Sequence, residues 1–259
     1  MSTAALVVHQ ARYDLRTFFR DPRARGFTLA MPMLLMVLFG YLFRHESFSV
    51  SGVLIPGDSY YLPRMIVLGL AGAALSNLVV VVVAKRETGA LKRRRATPVR
   101  PVVLIGGDVI TSEVSALTIV IVLAAIGWAA FDVHLTAVGT GVVILTAVVG
   151  TAALCGVAYA AATFIKSLDA AGPLVMLIMF PLNAISGIYV PENLFPAWLR
   201  DAAQVLPLRP LAVAMQTAVD PRTNSGRQFD WPDLLIVAAW GAAGALFALR
   251  RFSWSPTQH

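Results

Sequence analysis

The residue types that carry enzyme chemistry are scarce in this chain, and their spacing builds no catalytic site. His45-Glu46-Ser47-Phe48-Ser49 opens like the zinc-protease pattern His-Glu-x-x-His but lacks the second histidine. Ala184-Ile185-Ser186-Gly187 departs from a Gly-x-Ser-Gly nucleophile turn by its alanine. His9 and His259 lie near the termini, and His45 and His134 lie just outside apolar blocks, so none is placed as a base within such a block. Cys155 is the single cysteine, which excludes an internal disulfide and any cysteine-based zinc motif. Of three lysines only Lys166 precedes Ser or Thr, and Ile165 stands where a phosphate-binding loop needs glycine. The chain is expected to hold no catalytic residue, metal or cofactor, and not to hydrolyse ATP.

A different kind of chemistry remains: recognition by polar residues set in apolar sequence. Ser76 and Asn77 in one block, and Asn183 and Ser186 in another, are costly to bury in lipid and are candidates to line a substrate path. Interhelical hydrogen bonding, worth about 0.6 kcal/mol on average in membranes, accounts for them equally well. Met176, Met179 and Phe180 offer an adaptable apolar surface suited to varied ligands, or simply to packing. Asp108 and Glu113 are expected to pair with nearby arginines.

The elements that position these residues follow from composition. Of 259 residues, 58% are hydrophobic and 14% charged, too few charges to solvate a soluble surface. The apolar residues form six blocks, at 27–43, 65–84, 114–131, 135–165, 170–190 and 231–249. Each approaches the roughly 20 residues that span a hydrocarbon core. The third is expected to begin near Val102, and the fourth to tilt or protrude. The valine run 79–83 reads as helix, since a helix satisfies its own backbone in lipid, and the blocks lack the alternation of a membrane barrel. The expected fold is all-α with six transmembrane helices.

Charge sets the expected orientation. With both termini inside, fifteen Lys and Arg fall on the cytoplasmic side and six (Arg44, Arg64, Arg200, Arg209, Arg222 and Arg227) on the other. The net charge of +7 therefore reads as topology and contact with anionic lipid. No recognition element for nucleic acid accompanies it. Eighteen arginines against three lysines fit a high-GC bacterial gene, hence a bacterial cytoplasmic membrane. No cleavable leader is expected, because the first apolar block is long enough to span and follows five arginines.

Three segments outside the blocks have their own patterns. Residues 1–25 form an amphipathic helix with Ala4, Val7, Val8, Ala11, Leu15, Phe18 and Phe19 on one face. Arg12, Arg16 and Arg20 lie opposite with His9 and Tyr13, as in helices that lie in a membrane interface, and Asp21-Pro22 ends it. It serves as an anchor or additionally docks a partner. Residues 85–99 form a short basic cytoplasmic helix with Glu87 near its start and Arg93, Arg94 and Arg95 near its end, matching the helix dipole. Contact with acidic lipid would explain it without any partner. Residues 191–211 are too long for a turn and too polar to span. Pro196 opens a helix there and Pro207 closes it, with Trp198, Leu199, Ala202, Val205 and Leu206 on one side. The six-span domain thus covers 26–252, followed by a cytoplasmic tail at 253–259.

Arg86-Glu87-x-Gly89-x-Leu91, followed by Ala96-Thr97-Pro98-Val99, resembles the cytoplasmic coupling segment of type-2 ABC transporter permeases. Ala90, Lys92 and the cluster Arg93, Arg94 and Arg95 depart from that family's usual Thr and Glu, which bears on which partner is recognised. Ser186-Gly187-x-x-x-Pro191, then Pro196, then Pro207-Leu208 and Pro210-Leu211, is similar to the family's outer re-entrant helical hairpin. Arg20-Asp21-Pro22-Arg23 and the segment from Met31 to Tyr41 fit its elbow helix and first span. The resemblance implies the permease subunit of an exporter, paired with itself or a sister permease and with a separate ATPase subunit that holds ATP and Mg. It assigns Arg86, Glu87, Gly89, Leu91, Thr97 and Pro98 to ATPase coupling. Gly187, Pro191, Pro196 and Trp198 become candidates for an outer gate. The cargo would be an amphipathic small molecule or lipid, drug- or antibiotic-like. A non-transporting sensor or assembly subunit that uses the same basic helix is the alternative.

Overall fold

The computed structural model describes residues 3–20, 26–88 and 101–251. Helix α1 (Thr3–Arg20) lies against α5 (Pro101–Phe131). Two glycines make that approach possible: a Cβ on Gly107 would stand 2.6 Å from Gln10 Cγ, and one on Gly106 would stand 3.1 Å from a Val7 methyl. Gln10 and Ala11 are buried in the contact, whereas Val8, expected on the apolar face, is exposed. The packed face is shifted because α1 turns Asp14 toward a lysine of another helix. The elbow sequence at 21–25, the segment 89–100 and the tail at 252–259 lie outside the described residues.

A π-helical turn (Gly26–Ala30) leads into α2 (Met31–Leu42). An antiparallel hairpin follows, β1 (Ser47–Val50) with β2 (Val53–Pro56), Ser47 opposite Pro56 and Val50 opposite Val53. It corrects the all-helical expectation. Ser51 and Gly52 both take left-handed φ values, 50° and 81°, which is what a two-residue hairpin turn needs to match strand twist. Phe48 anchors the hairpin, its ring 4.7 Å from that of Tyr60 and 5.7 Å from that of Phe43.

Helix α3 (Gly57–Ala71), a π-helical turn (Gly72–Ser76) and α4 (Asn77–Glu87) form one continuous rod. The rod starts at Gly57 rather than at 65, because Tyr60, Tyr61 and Arg64 are buried inside it rather than solvated before it. Almost every α3 residue is buried, with α2, α5 and α9 (Leu208–Val219) packed around it. The valine run is helical, as expected, and Val79, Val82 and Val83 are buried within the protein. Helix α5 begins at Pro101, so Asp108 and Glu113 lie within it.

Helix α6 (Ala137–Ala162) is capped by Thr136, whose hydroxyl accepts from Gly139 N–H at 3.0 Å. It ends before 165, so the fourth block is shorter as a helix than as a sequence. Its closest partner is α10 (Trp231–Arg251), against which Gly156, Gly241 and Gly244 bring backbone onto backbone. Between them come α7 (Leu168–Ile185), α8 (Ala197–Val205) and α9. Among the described residues five helices are long and apolar enough to cross a membrane: Gly57–Glu87, Ile105–Phe131, Ala137–Ala162, Leu168–Ile185 and Trp231–Arg251. Thr28–Leu42 is a shorter apolar helix.

Candidate functional site

The rod formed by α3, the π-turn and α4 also lines a cavity. A π-turn inserts one extra residue, which rotates the following helix by about 100° relative to a regular continuation. Here Gly72 and Ser76 of the turn and Asn77 just beyond it face a cleft of about 750 Å³. Val80, Val81 and Ala84 continue that wall along α4, and α7 supplies the opposite one through Val175, Met176, Met179, Phe180 and Asn183. Met31 and Pro32 from α2, and Thr111 and Ser112 from α5, complete the sides. Of the seven substrate-path candidates, six line this one cavity: Ser76, Asn77, Met176, Met179, Phe180 and Asn183. Ser186 does not; it is fully buried, and its hydroxyl donates to Leu182 O at 2.7 Å.

One end of the cavity is charged. Lys85 Nζ donates to Asp108 Oδ1 at 2.5 Å and lies 3.6 Å from Asp14 Oδ2. Tyr159 donates its hydroxyl proton to the other Asp108 oxygen at 2.7 Å, and Gln10 donates to Asp14 at 2.7 Å. Four helices, α1, α4, α5 and α6, are joined by this cluster. Asp108 was expected to pair with arginine; its partners are a lysine and a tyrosine, because α4 brings Lys85 past it. Glu113 finds no arginine either: its buried Oε2 has no hydrogen-bond partner among the described residues.

Just past Lys85, Arg86 and Glu87 hold the connection between α6 and α7. Arg86 is buried and donates to the carbonyls of Ala162, at 3.2 Å, and of Ile165. Those carbonyls lie at and beyond the C-terminus of α6, where a cation meets the negative end of the helix dipole. Glu87 accepts from Leu168 N–H at 2.6 Å and so caps α7 at its positive end. Gly89, Leu91, Thr97 and Pro98, the other expected coupling residues, lie outside the described residues.

At the opposite end of α7 the chain reverses. Ile188 N–H donates to Asn183 O at 3.2 Å and Gly187 N–H to Ala184 O at 3.3 Å, the bond pair of a Schellman cap. Gly187 has φ +76°, and a Cβ there would stand 2.8 Å from Glu192 Cγ. Its carbonyl accepts from Arg64 Nε at 3.0 Å. Arg64, counted in the sequence among the six basic residues opposite the cytoplasmic side, is 2% exposed within α3. Its Nη1 donates to Gln216 Oε1 at 2.6 Å and to Tyr60 O at 3.0 Å, and its guanidinium lies 3.4 Å from the Tyr60 ring centre. Arg209 donates to Glu192 at 2.6 Å, joining α9 to the turn that follows Pro191.

Two short helices of unlike character follow Pro191. Pro196 precedes α8 and Pro207 precedes α9, where the two Pro-Leu pairs open a helix running on to Val219 rather than ending at 211. Helix α9 is sunk among α3, α6 and α10, while α8 is largely exposed, Trp198 at 70%. Trp240 of α10 ties α8 down by donating to Val205 O at 2.6 Å.

Residues 7–219 match the family model described as ABC-2 type transporter. No curated protein matches the sequence.

Proposed function

The chain belongs to the ABC-2 type transporter family and is a multi-pass membrane permease of an ABC transporter, and from that premise we propose that it forms half of the membrane domain of an ATP-driven exporter. The observation that carries the reading is the rod Gly57–Glu87. Its middle lines the cavity with Ser76 and Asn77, and its end, Arg86 and Glu87, leads directly into the segment that resembles a coupling helix. A push delivered beyond Thr88 would travel along α4 to the cavity wall. It would also reach α7, because Arg86 and Glu87 hold the start of that helix.

In this reading the chain sits in a bacterial cytoplasmic membrane with six spans, Thr28–Leu42 being the first, and with both termini inside. Helix α1 lies in the inner interface. The ATPase subunit that members of this family normally work with holds ATP and Mg; Glu87, Gly89, Leu91, Thr97 and Pro98 couple to it, and Arg86, buried against Ala162 and Ile165, supports that segment from within the chain. Two permease copies, or this chain and a sister, face each other across the exposed apolar side of α7, where Leu177 and Phe180 are each about 70% exposed. Gly187, Pro191, Pro196 and Trp198 shape an outer gate. The cargo is an amphipathic small molecule or lipid carried outward.

The test is reconstitution with the candidate ATPase subunit in proteoliposomes. Cargo-stimulated ATP hydrolysis that depends on this chain, with outward movement of the cargo, is the expected result. A chain that binds the ATPase but never stimulates it or moves a solute would instead be a sensor or assembly subunit.

A further inference from the structure

Among the described residues, the charged groups that line the cavity are Asp14, Lys85 and Asp108. Among these, two carboxylates stand against one ammonium, which they share. The rest of the wall is apolar except for hydroxyls and two amides. One amide, Asn183, is 4% exposed, and its Nδ2 donates to Met179 O at 2.7 Å while its Oδ1 has no partner among the described residues. A buried acceptor left open in the wall of a cavity is costly until something donates to it. Phe180 and Tyr189, ring centres 5.9 Å apart, flank the same end as Asn183 and present aromatic surface. A cavity of about 750 Å³ also lies in the range that encloses a drug-sized molecule.

We propose that this cavity binds an amphipathic organic cation bearing N–H donors. This inference deepens the exporter reading and rests on it. Asp14 and Asp108 neutralise the cation, and Lys85, already shared between them, shifts toward one as the ligand approaches the other. The apolar body lies between α4 and α7 against Val80 and Met179. Asn183 Oδ1 accepts a donor at the far end. An anion of equal size meets two carboxylates at one end and an acceptor without a proton at the other. Low dielectric in the apolar cleft strengthens both the attraction and the exclusion.

The experiment compares two xanthene dyes of similar size, cationic rhodamine 6G with its two N–H groups and anionic fluorescein, binding to the full chain in nanodiscs. Fluorescence polarisation should show rhodamine 6G bound at least about tenfold more tightly than fluorescein. Asp14→Asn keeps an acceptor for Gln10 but removes one charge, and Asn183→Leu removes the open acceptor. Each should weaken rhodamine 6G about fivefold to tenfold and leave fluorescein unchanged. Equal binding of the two dyes, preference for fluorescein, no binding of either, or rhodamine binding indifferent to both variants would overturn the proposal. Assembly with the ATPase subunit, measured on the same preparations, stands or falls separately and reports on the permease reading alone.

Discussion

The Glu87 carboxylate accepts a hydrogen bond from the Leu168 backbone N–H at 2.6 Å, so the last residue of α4 caps the first turn of α7. Arg86 beside it holds carbonyls at the end of α6. Two residues at the mouth of the segment expected to meet an ATPase are therefore also engaged within their own chain.

The cap and the proposed coupling contact can be separated by chemistry. Glu87→Gln retains an oxygen that accepts from Leu168, whereas Glu87→Ala does not. Thermal unfolding of the detergent-solubilised chain should show Glu87→Ala destabilised by about 1 kcal/mol and Glu87→Gln near wild type. If Glu87 also contacts the ATPase through its charge, both variants should lower cargo-stimulated ATP hydrolysis. A loss confined to Glu87→Ala would assign the residue to capping alone.

Lys85 and Asp108 form a pair in which one partner is almost wholly buried. Lys85→Met strips the compensating charge from Asp108 and should destabilise the chain by roughly 3 kcal/mol. Adding Asp108→Leu removes the stranded charge as well, and the double variant should recover much of the loss, less the hydrogen bond from Tyr159. A Lys85→Met chain as stable as wild type in denaturant titration would show that the pair carries no such load.

The helices were readable wherever apolar residues run together, since block length alone separates a span from a soluble element. The errors fall where side chains behave against type. Arg64 looks like a solvated residue at a span boundary, and only the fold brings the Gly187 carbonyl and the Gln216 amide to satisfy it. The rod therefore begins well before the expected start. The hairpin at 47–56 has a local signal in the alternation of Phe48 and Val50 around Ser51-Gly52, masked by its nearness to the first apolar block. In the cavity, Ser76, Asn77 and Asn183 could be chosen from sequence because a polar side chain in an apolar helix needs a reason. Its charged end could not. Lys85 sits in a basic run that topology explains, and nothing local says that Asp108 and Asp14, on two other helices, reach it.

Gly244 offers a test of the contact between α6 and α10. A Cβ there would stand 2.7 Å from the backbone carbonyl of Gly156, which has no flexible end to move aside. Gly244→Ala should therefore cost about 1–3 kcal/mol, despite alanine's better helix propensity. Gly141, on α6 with open space around it, is the control: Gly141→Ala should be neutral or slightly stabilising. Equal stability of the two variants on denaturation would mean that the helices do not approach this closely.

Helix α8 provides the clearest test of how the outer segment meets the membrane. Its Ala203 is buried against the protein, whereas Trp198 and Val205 are 70% and 63% exposed in the isolated chain, on the apolar side of the helix. Arg200, Asp201 and Gln204 lie on the polar side. If α8 lies in the outer interface with Trp198 as its anchor, lipid must cover what the protein leaves open. Single cysteines at 198, 200, 203, 204 and 205 can be read against a quiet background, because Cys155 is buried. In intact cells a membrane-impermeant maleimide applied from outside should label 200 and 204 readily and spare 198, 203 and 205. In a mild detergent that strips lipid from the interface, 198 and 205 should become reactive while 203 stays protected by protein. Strong labelling at 198 and 205 in cells would make α8 a solvated helix, and a gate held at the membrane surface would then have to be abandoned.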